Sequence, residues 1–247
     1  MRTTGNTILI TGGGSGIGRE LARCFHGLGN RVIVAGRREA ALQQTIDGRA
    51  DMHALVADMT DAGQVEALAR RAVAEHPDLN VLINNAGVMR REDLSRRRDL
   101  ADAEETIATN LLAPIRLTNA LIDHLAGRPG AAIVNVTSGL AFVPMSGAPT
   151  YAAAKAALHS YTVSLRDRLK GRVEVIELAP PAVRTELTPG QSTRDGYMPL
   201  GAFIDETMAL FGVQPTPSEI LVERVAALRW AERDGTFDTA VERLGAA

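Results

Sequence analysis

The chain has 247 residues, of which 45% are hydrophobic and 23% charged, and its formal net charge is −2. That length suits one large core, and the near-neutral balance gives no long-range pull toward nucleic acid or an anionic membrane. A single cysteine, Cys24, excludes an internal disulfide and a cysteine-rich metal site and fits a cytoplasmic location.

No secretory leader is expected, because TILI (7–10) is too short for an apolar leader core and runs into glycines. In chain order, the short apolar runs 7–11, 31–36, 52–57, 80–85, 131–136 and 173–178 read as strands. Several are β-branched and apolar throughout, as expected where helices cover both faces of a parallel sheet. Between them the spacing predicts helices over 16–28, 38–47, 61–75, 102–126 and 150–170. Asp61 is placed to cap the third, and Gly29 and Gly171 fall where chains leave helices. Residues 129–154 carry no formal charge, but three prolines and three glycines make them a strand, a loop and a helix start, not a membrane span. Residues 188–199 read as a loop and about 200–211 as a helix; 219–231 starts like a strand and continues like a helix. This alternation predicts one domain over 1–247, a doubly wound Rossmann fold whose parallel sheet has six to seven strands, with helices on both faces.

In TILITGGGSGIGRELARCF the glycines stand immediately after a strand and before a helix. Gly12, Gly16 and Gly18 permit a tight turn, close approach of phosphate to backbone, and packing of helix on strand. Exposed N–H groups and the helix dipole then attract a dinucleotide pyrophosphate. A flexible turn without ligand is the plain alternative, and the strand–turn–helix setting argues against it.

Tyr151 and Lys155 stand four apart in YAAAK, so they share a helix face with only alanines between. A phenol near neutral pH is a proton donor, and a neighbouring ammonium favours its phenolate. Tyr151 is therefore suited to give a proton to a carbonyl or take one from an alcohol. Taken alone, the same pair is also an ordinary helix surface pair.

Together TGGGSGIG (11–18), NNAG (84–87), and Asn110, Ser138, Tyr151 and Lys155 in their order and spacing resemble the short-chain dehydrogenase/reductase family. ELAPPAVRTEL (177–187) and EILVERVAALRWAERDGTFD (219–238) resemble its DltE-like branch. The resemblance implies an oxidoreductase that interconverts a carbonyl and an alcohol, with those four residues as the catalytic set. Asn110 would sit at a local break in its helix that holds a water linked to Lys155, and Ser138 would bind the substrate oxygen. The implied cofactor contacts are Gly12, Ser15, Gly16, Ile17 and Gly18 in the turn, then Asp58 and Met59 at the adenine. Asn84, Ala86 and Gly87, then Pro180, Val183 and Thr185, complete them with Tyr151 and Lys155. Where NAD-binding relatives carry an acid after the second strand this chain has Gly36, followed by Arg37 and Arg38. A guanidinium there suits a 2′-phosphate, which favours NADP (as NADPH) over NAD.

The pattern also departs from the family. Pro181 replaces the usual glycine, so backbone N–H contacts at that point cannot be assumed. The usual glycine-rich ending is missing, which leaves 219–224 to supply a seventh strand before a divergent tail over about 230–247. A substrate wall is expected from 139–150 and 186–211, with Leu140, Phe142, Val143, Met145, Met198, Phe203 and Phe211 as apolar candidates. RREDLSRRR (90–98) reads as a solvated loop, the five histidines show no metal-ligand spacing, and Cys24 reads as packing. Expected partners are a small carbonyl or alcohol substrate and further copies of the chain, as a homodimer or homotetramer built through 102–126 and 150–170. Neither nucleic acid nor membrane is expected, nor any metal. The contrasting reading is a nucleotide-sensing or regulatory protein without turnover. A third, hydrolysis by Ser138, lacks a histidine base in its motif.

Overall fold

The computed structural model describes residues 1–245. Seven parallel strands form one sheet: β1 (Thr7–Thr11), β2 (Arg31–Gly36), β3 (Met52–Val56), β4 (Val81–Asn84), β5 (Ala132–Val136), β6 (Glu174–Leu178) and β7 (Glu219–Ile220). Their spatial order is β3-β2-β1-β4-β5-β6-β7, so the direction of winding reverses between β1 and β4. Such a reversal opens a crevice beyond the carboxyl ends of the strands, where ligands bind in this class of sheet.

Strand side chains alternate between faces, and here both faces are covered. Ile8, Ile10, Val32, Val34, Val81 and Ile83 pack into one core layer together with Leu21 and Phe25 of α1 (Gly16–Gly27). Leu9, Ile33, Leu82 and Ile133 enter the other layer, against α3 (Ala62–Glu75) and α5 (Ala113–Ala126). This two-sided burial is why long stretches of the strands are apolar, as at Ile8–Ile10, Val32–Ala35 and Val81–Ile83. Asn80 fastens the entry of the central strands, accepting from the Thr7 N–H at 2.9 Å and donating to Asn6 at 3.0 Å.

Most predicted elements lie where the periodicity placed them, including α2 (Glu39–Ile46), α6 (Pro149–Arg168) and α7 (Leu200–Gly212). Asp61 caps α3, its carboxylate accepting from the N–H groups of Gly63 and Gln64 at 2.8 and 3.0 Å. Two regions differ. The predicted helix over 102–126 is α4 (Ala101–Ile107), a π turn (Ala108–Leu112) and then α5. The ambiguous 219–231 resolves into the two-residue β7 and α8 (Glu223–Arg229), and the tail contains a further helix, α9 (Phe237–Gly245). Residues 246 and 247 of the expected tail lie outside the described residues. Among the described residues no helix is long and apolar enough to cross a membrane.

Leu82 is fully buried at the centre of the sheet, whereas Leu94 is 66% exposed. Leu82→Ala should lower unfolding free energy by about 2–5 kcal/mol in urea titration. Leu94→Ala should stay within about 0.5 kcal/mol of the parent.

Candidate active site

The glycine turn is shaped by what lies against it. Gly12 has φ +68°, and a Cβ there would stand 2.8 Å from the Ala86 Cα. A Cβ on Gly18 would meet the Gly12 carbonyl oxygen at 2.5 Å and collide with the Asn85 amide. Asn85 is held in place because its side chain donates to the Thr11 carbonyl at 2.9 Å. Thr11 Oγ1 in turn accepts from the N–H groups of Asn85 and Ala86, both at 3.0 Å. Arg19 braces the turn from outside by donating to the Gly14 carbonyl from Nη2 at 2.5 Å. Ser15 precedes α1 but its side chain does not cap the helix. The first-turn N–H groups thus keep their donors for an anion, and Gly12, Gly14, Ser15, Gly16, Ile17 and Gly18 all line one cleft. This cradle, closed to any Cβ, fits a dinucleotide pyrophosphate.

That cleft is about 400 Å³ in volume. At one end are Gly36, Arg37, Arg38, Asp58 and Met59. Arg37 donates to Glu105 at 3.3 Å, and Arg38 to Ser15 Oγ at 3.1 Å. One oxygen of Asp58 accepts from both the N–H and the hydroxyl of Thr60 at 2.9 Å, which folds the chain toward α3. Of the NNAG residues, Ala86 and Gly87 line the cleft with Asn85. Asn84 does not: it is buried in the sheet layer, donating to Asn135 at 2.9 Å. Its side chain shares a face with Leu82, and the one-residue step to Asn85 turns the next amide toward the turn.

The far end of the cleft gathers Ser138, Tyr151, Lys155, Pro180, Pro181, Val183 and Thr185. Asn110 stands behind it, fully buried in the π turn, which is closed by a bond from the Ala113 N–H to the Ala108 carbonyl. Its side chain grips Val88 in both directions, accepting from the N–H at 2.9 Å and donating to the carbonyl at 2.8 Å. Gly87 lies between Asn110 and Lys155; a Cβ there would be 3.1 Å from Asn110 Oδ1 and 3.8 Å from Lys155 Nζ. Lys155 Nζ donates to the Val136 carbonyl at 2.8 Å and lies 5.7 Å from the centre of the Tyr151 ring. Ser138 begins a short 3-10 turn, its hydroxyl accepting from the Leu140 N–H at 3.1 Å. Gln191, which the sequence reading missed, ties the loop after β6 by donating to the Val183 carbonyl at 2.8 Å.

Burial, not the lysine charge, dominates the titration of this group. It pushes the Tyr151 phenol up to about 12, while a hydrogen bond with Ser138 pulls the other way. Burial also pushes the Lys155 ammonium down to about 8. The sequence reading expected the ammonium to lower the phenol; in this site the loss of water outweighs it. At neutral pH Tyr151 is therefore a protonated donor.

Beside Tyr151 the wall is apolar. Met145, Ala148 and Tyr151 are buried together, with Met89, Leu140, Leu187 and Leu244 packed on them. Of the apolar wall candidates, Leu140 and Met145 stand in this cluster, whereas the others pack elsewhere. Phe203 and Phe211 belong to the core beneath α7, where Phe211 meets Phe25 edge-on at 5.6 Å. Val143 packs with Ala231 and Ala240, Phe142 lies against His159, and Met198 bridges to Val183 within the core. The stretch 90–98 is only partly a solvated loop. The Glu92 side chain is buried, pairs with Arg98, and accepts from the Thr150 N–H at 3.0 Å and its hydroxyl at 2.6 Å. It thereby anchors the first turn of α6 one residue before Tyr151. Nothing in its local pattern marks it, because its partner is 58 positions away.

Among the described residues no group of three or more His, Cys, Asp or Glu could hold a metal ion. A model of the short chain dehydrogenase family matches residues 6–195. An uncharacterised oxidoreductase named DltE, from Bacillus subtilis strain 168, is 42% identical over 249 residues, spanning 99% of this chain and 98% of its own. Among solved structures, a short-chain dehydrogenase/reductase of Burkholderia phymatum in complex with NAD superposes with a TM-score of 0.84 at 24% identity, covering 96% of each chain. A short-chain dehydrogenase of Sphingobium yanoikuyae in complex with NADPH does so with 0.81 at 27%, covering 96% of this chain and 95% of that one.

Lys155 is one of only two lysines in the chain, which gives its titration a readable signature. Its value falls from 10.5 to about 8 on folding, so between those limits the unfolded chain binds more protons. Stability should therefore rise with pH from 8 toward 10. Urea midpoints measured across that window should climb in the parent protein and stay much flatter in Lys155→Met.

Proposed function

The chain belongs to the short chain dehydrogenase family, and we propose that it is an NADP-dependent oxidoreductase in which Tyr151 is the acid and base for carbonyl–alcohol interconversion. The observation that carries this reading is the buried, protonated Tyr151 set beside Ser138 and Lys155 in the same cleft as the glycine turn. When bound, the nicotinamide exchanges a hydride with the carbonyl carbon. The chain's own residues manage the oxygen and the proton.

In the reducing direction the Tyr151 hydroxyl gives its proton to the substrate oxygen as negative charge builds there. Ser138 adds a second hydrogen bond to that oxygen. The Lys155 ammonium limits the cost of the phenolate left behind, and its bond to the Val136 carbonyl fixes where that charge stands. With the Asn110 amide occupied by Val88, a water linking Asn110 to Lys155 would rest on main-chain atoms of the π turn. Gln191 holds the Val183 carbonyl, which leaves the Val183 N–H to meet the carboxamide. The apolar wall around Tyr151 keeps water from the reacting centre.

Arg37 and Arg38, following Gly36 with no acid in its place, support NADP as the cofactor. A sensor without turnover has no use for a buried phenol beside an ammonium, so the regulatory reading is not favoured. We further assign the protein to the cytoplasm, on its single cysteine, and to a homodimer or homotetramer. Exposed Leu112 and Val163, at the predicted helical surfaces, support self-association.

Tyr151→Phe should retain its NADPH Kd within about twofold in a fluorescence titration. Its turnover on any aldehyde or ketone accepted by the parent should fall by roughly 10²–10⁴. Parent-like turnover would defeat the mechanism. Arg37→Gln should weaken NADPH about tenfold and leave NADH nearly unchanged, whereas equal parent affinity for both cofactors would remove the NADP assignment.

A further inference from the structure

The arginine proposed for the 2′-phosphate is not idle: it is held by a carboxylate from the other side of the crevice. Glu105 of α4 accepts from Arg37 at 3.3 Å through one oxygen and from Arg90 at 2.8 Å through the other. Arg37 follows β2 and Arg90 follows β4, and both line the cleft. The three side chains thus form a cation–anion–cation row along its adenosine edge. Arg38 has no part in this row, since it donates to Ser15.

The second guanidinium is what the arrangement needs if Arg37 is to leave. A 2′-phosphate carries close to two negative charges near neutral pH and pairs well with a guanidinium fork. To meet it, Arg37 must give up Glu105. Had Glu105 no other partner, a bare carboxylate would then face the phosphate and repel it. Arg90 holds the second oxygen, so the carboxylate left behind remains neutralised. NADH brings no 2′-phosphate and needs no such exchange.

We propose that Glu105 and Arg90 set the discrimination between NADPH and NADH, Glu105 by competing for Arg37 and Arg90 by neutralising Glu105 once Arg37 is released. This rests on the reading of Arg37 as the 2′-phosphate ligand. It makes the cofactor preference a property of α4 and the loop after β4 as well as of the turn after β2. The pairs are half exposed, with Arg37 at 55% and Arg90 at 42%, so each effect should be severalfold, not hundreds-fold.

The test is direct binding of NADPH and NADH, by fluorescence or calorimetry, to the parent, Glu105→Gln, Arg90→Gln and the double variant. Glu105→Gln should tighten NADPH about threefold, and Arg90→Gln should weaken it about fivefold, both with NADH unchanged. In the double variant, where the carboxylate is already gone, the loss of Arg90 should no longer matter. Three results would overturn the proposal: Arg90→Gln weakening both cofactors alike, its penalty persisting in the double variant, or Glu105→Gln weakening NADPH. Arg37→Gln serves as the separate control. If it leaves the NADPH-to-NADH ratio untouched, the underlying NADP reading fails; if it lowers the ratio while the other variants do nothing, only the present proposal fails.

Discussion

The site depends on one short clasp between the ends of two strands. Thr11 Oγ1 accepts from two successive N–H groups, those of Asn85 and Ala86, while Asn85 donates back to the Thr11 carbonyl. These bonds draw the carboxyl ends of β1 and β4 together at the point where the sheet reverses its winding. Once they are in place, no side chain fits at Gly12 or Gly18. The same segment then runs through Gly87 to Val88, where Asn110 grips it and Lys155 stands within reach. The glycine turn and the Tyr151–Lys155 group are thus two ends of one crossing.

Charge and burial compete along this crossing, and different terms prevail at its two ends. At the half-exposed edge beside Arg37 and Arg90, ion pairs are weak and exchangeable, so carboxylates and guanidiniums can trade partners at small cost. Around Tyr151, water is excluded and the cost of charging a group exceeds what one neighbour returns. The fold therefore places the arginine row where electrostatics is soft and the Tyr151–Lys155 group where it is stiff.

Much of this could be read from the amino-acid order. The parallel sheet was legible because strands buried on two faces carry uninterrupted apolar stretches, and the glycine turn because only that residue survives such close backbone contacts. Tyr151 and Lys155 were legible through helical spacing taken together with the glycine turn, Asn110 and Ser138. The losses have physical causes. Periodicity read 102–126 as one continuous helix, and only the family resemblance pointed to the local break at Asn110, which is the π turn. Asn84 and Asn85 differ only in strand parity, and parity at a strand end depends on where the strand stops. Glu92 looked solvated because its partner lies far along the chain, and Phe203 and Phe211 looked like pocket residues because a loop and a core helix are equally apolar. The depth of Tyr151, and hence the direction of its titration, is a three-dimensional quantity that no local spacing encodes.

Leu244 belongs to α9, yet it packs in the same cluster as Tyr151. The family match stops at residue 195, well before this helix. Part of the surface around the Tyr151 side chain is thus drawn from a helix whose described residues do not line the cleft. Replacements along α9 can reshape the space beside the phenol while leaving the glycine turn intact. The fold in this way lets the surroundings of the phenol vary separately from the glycine turn.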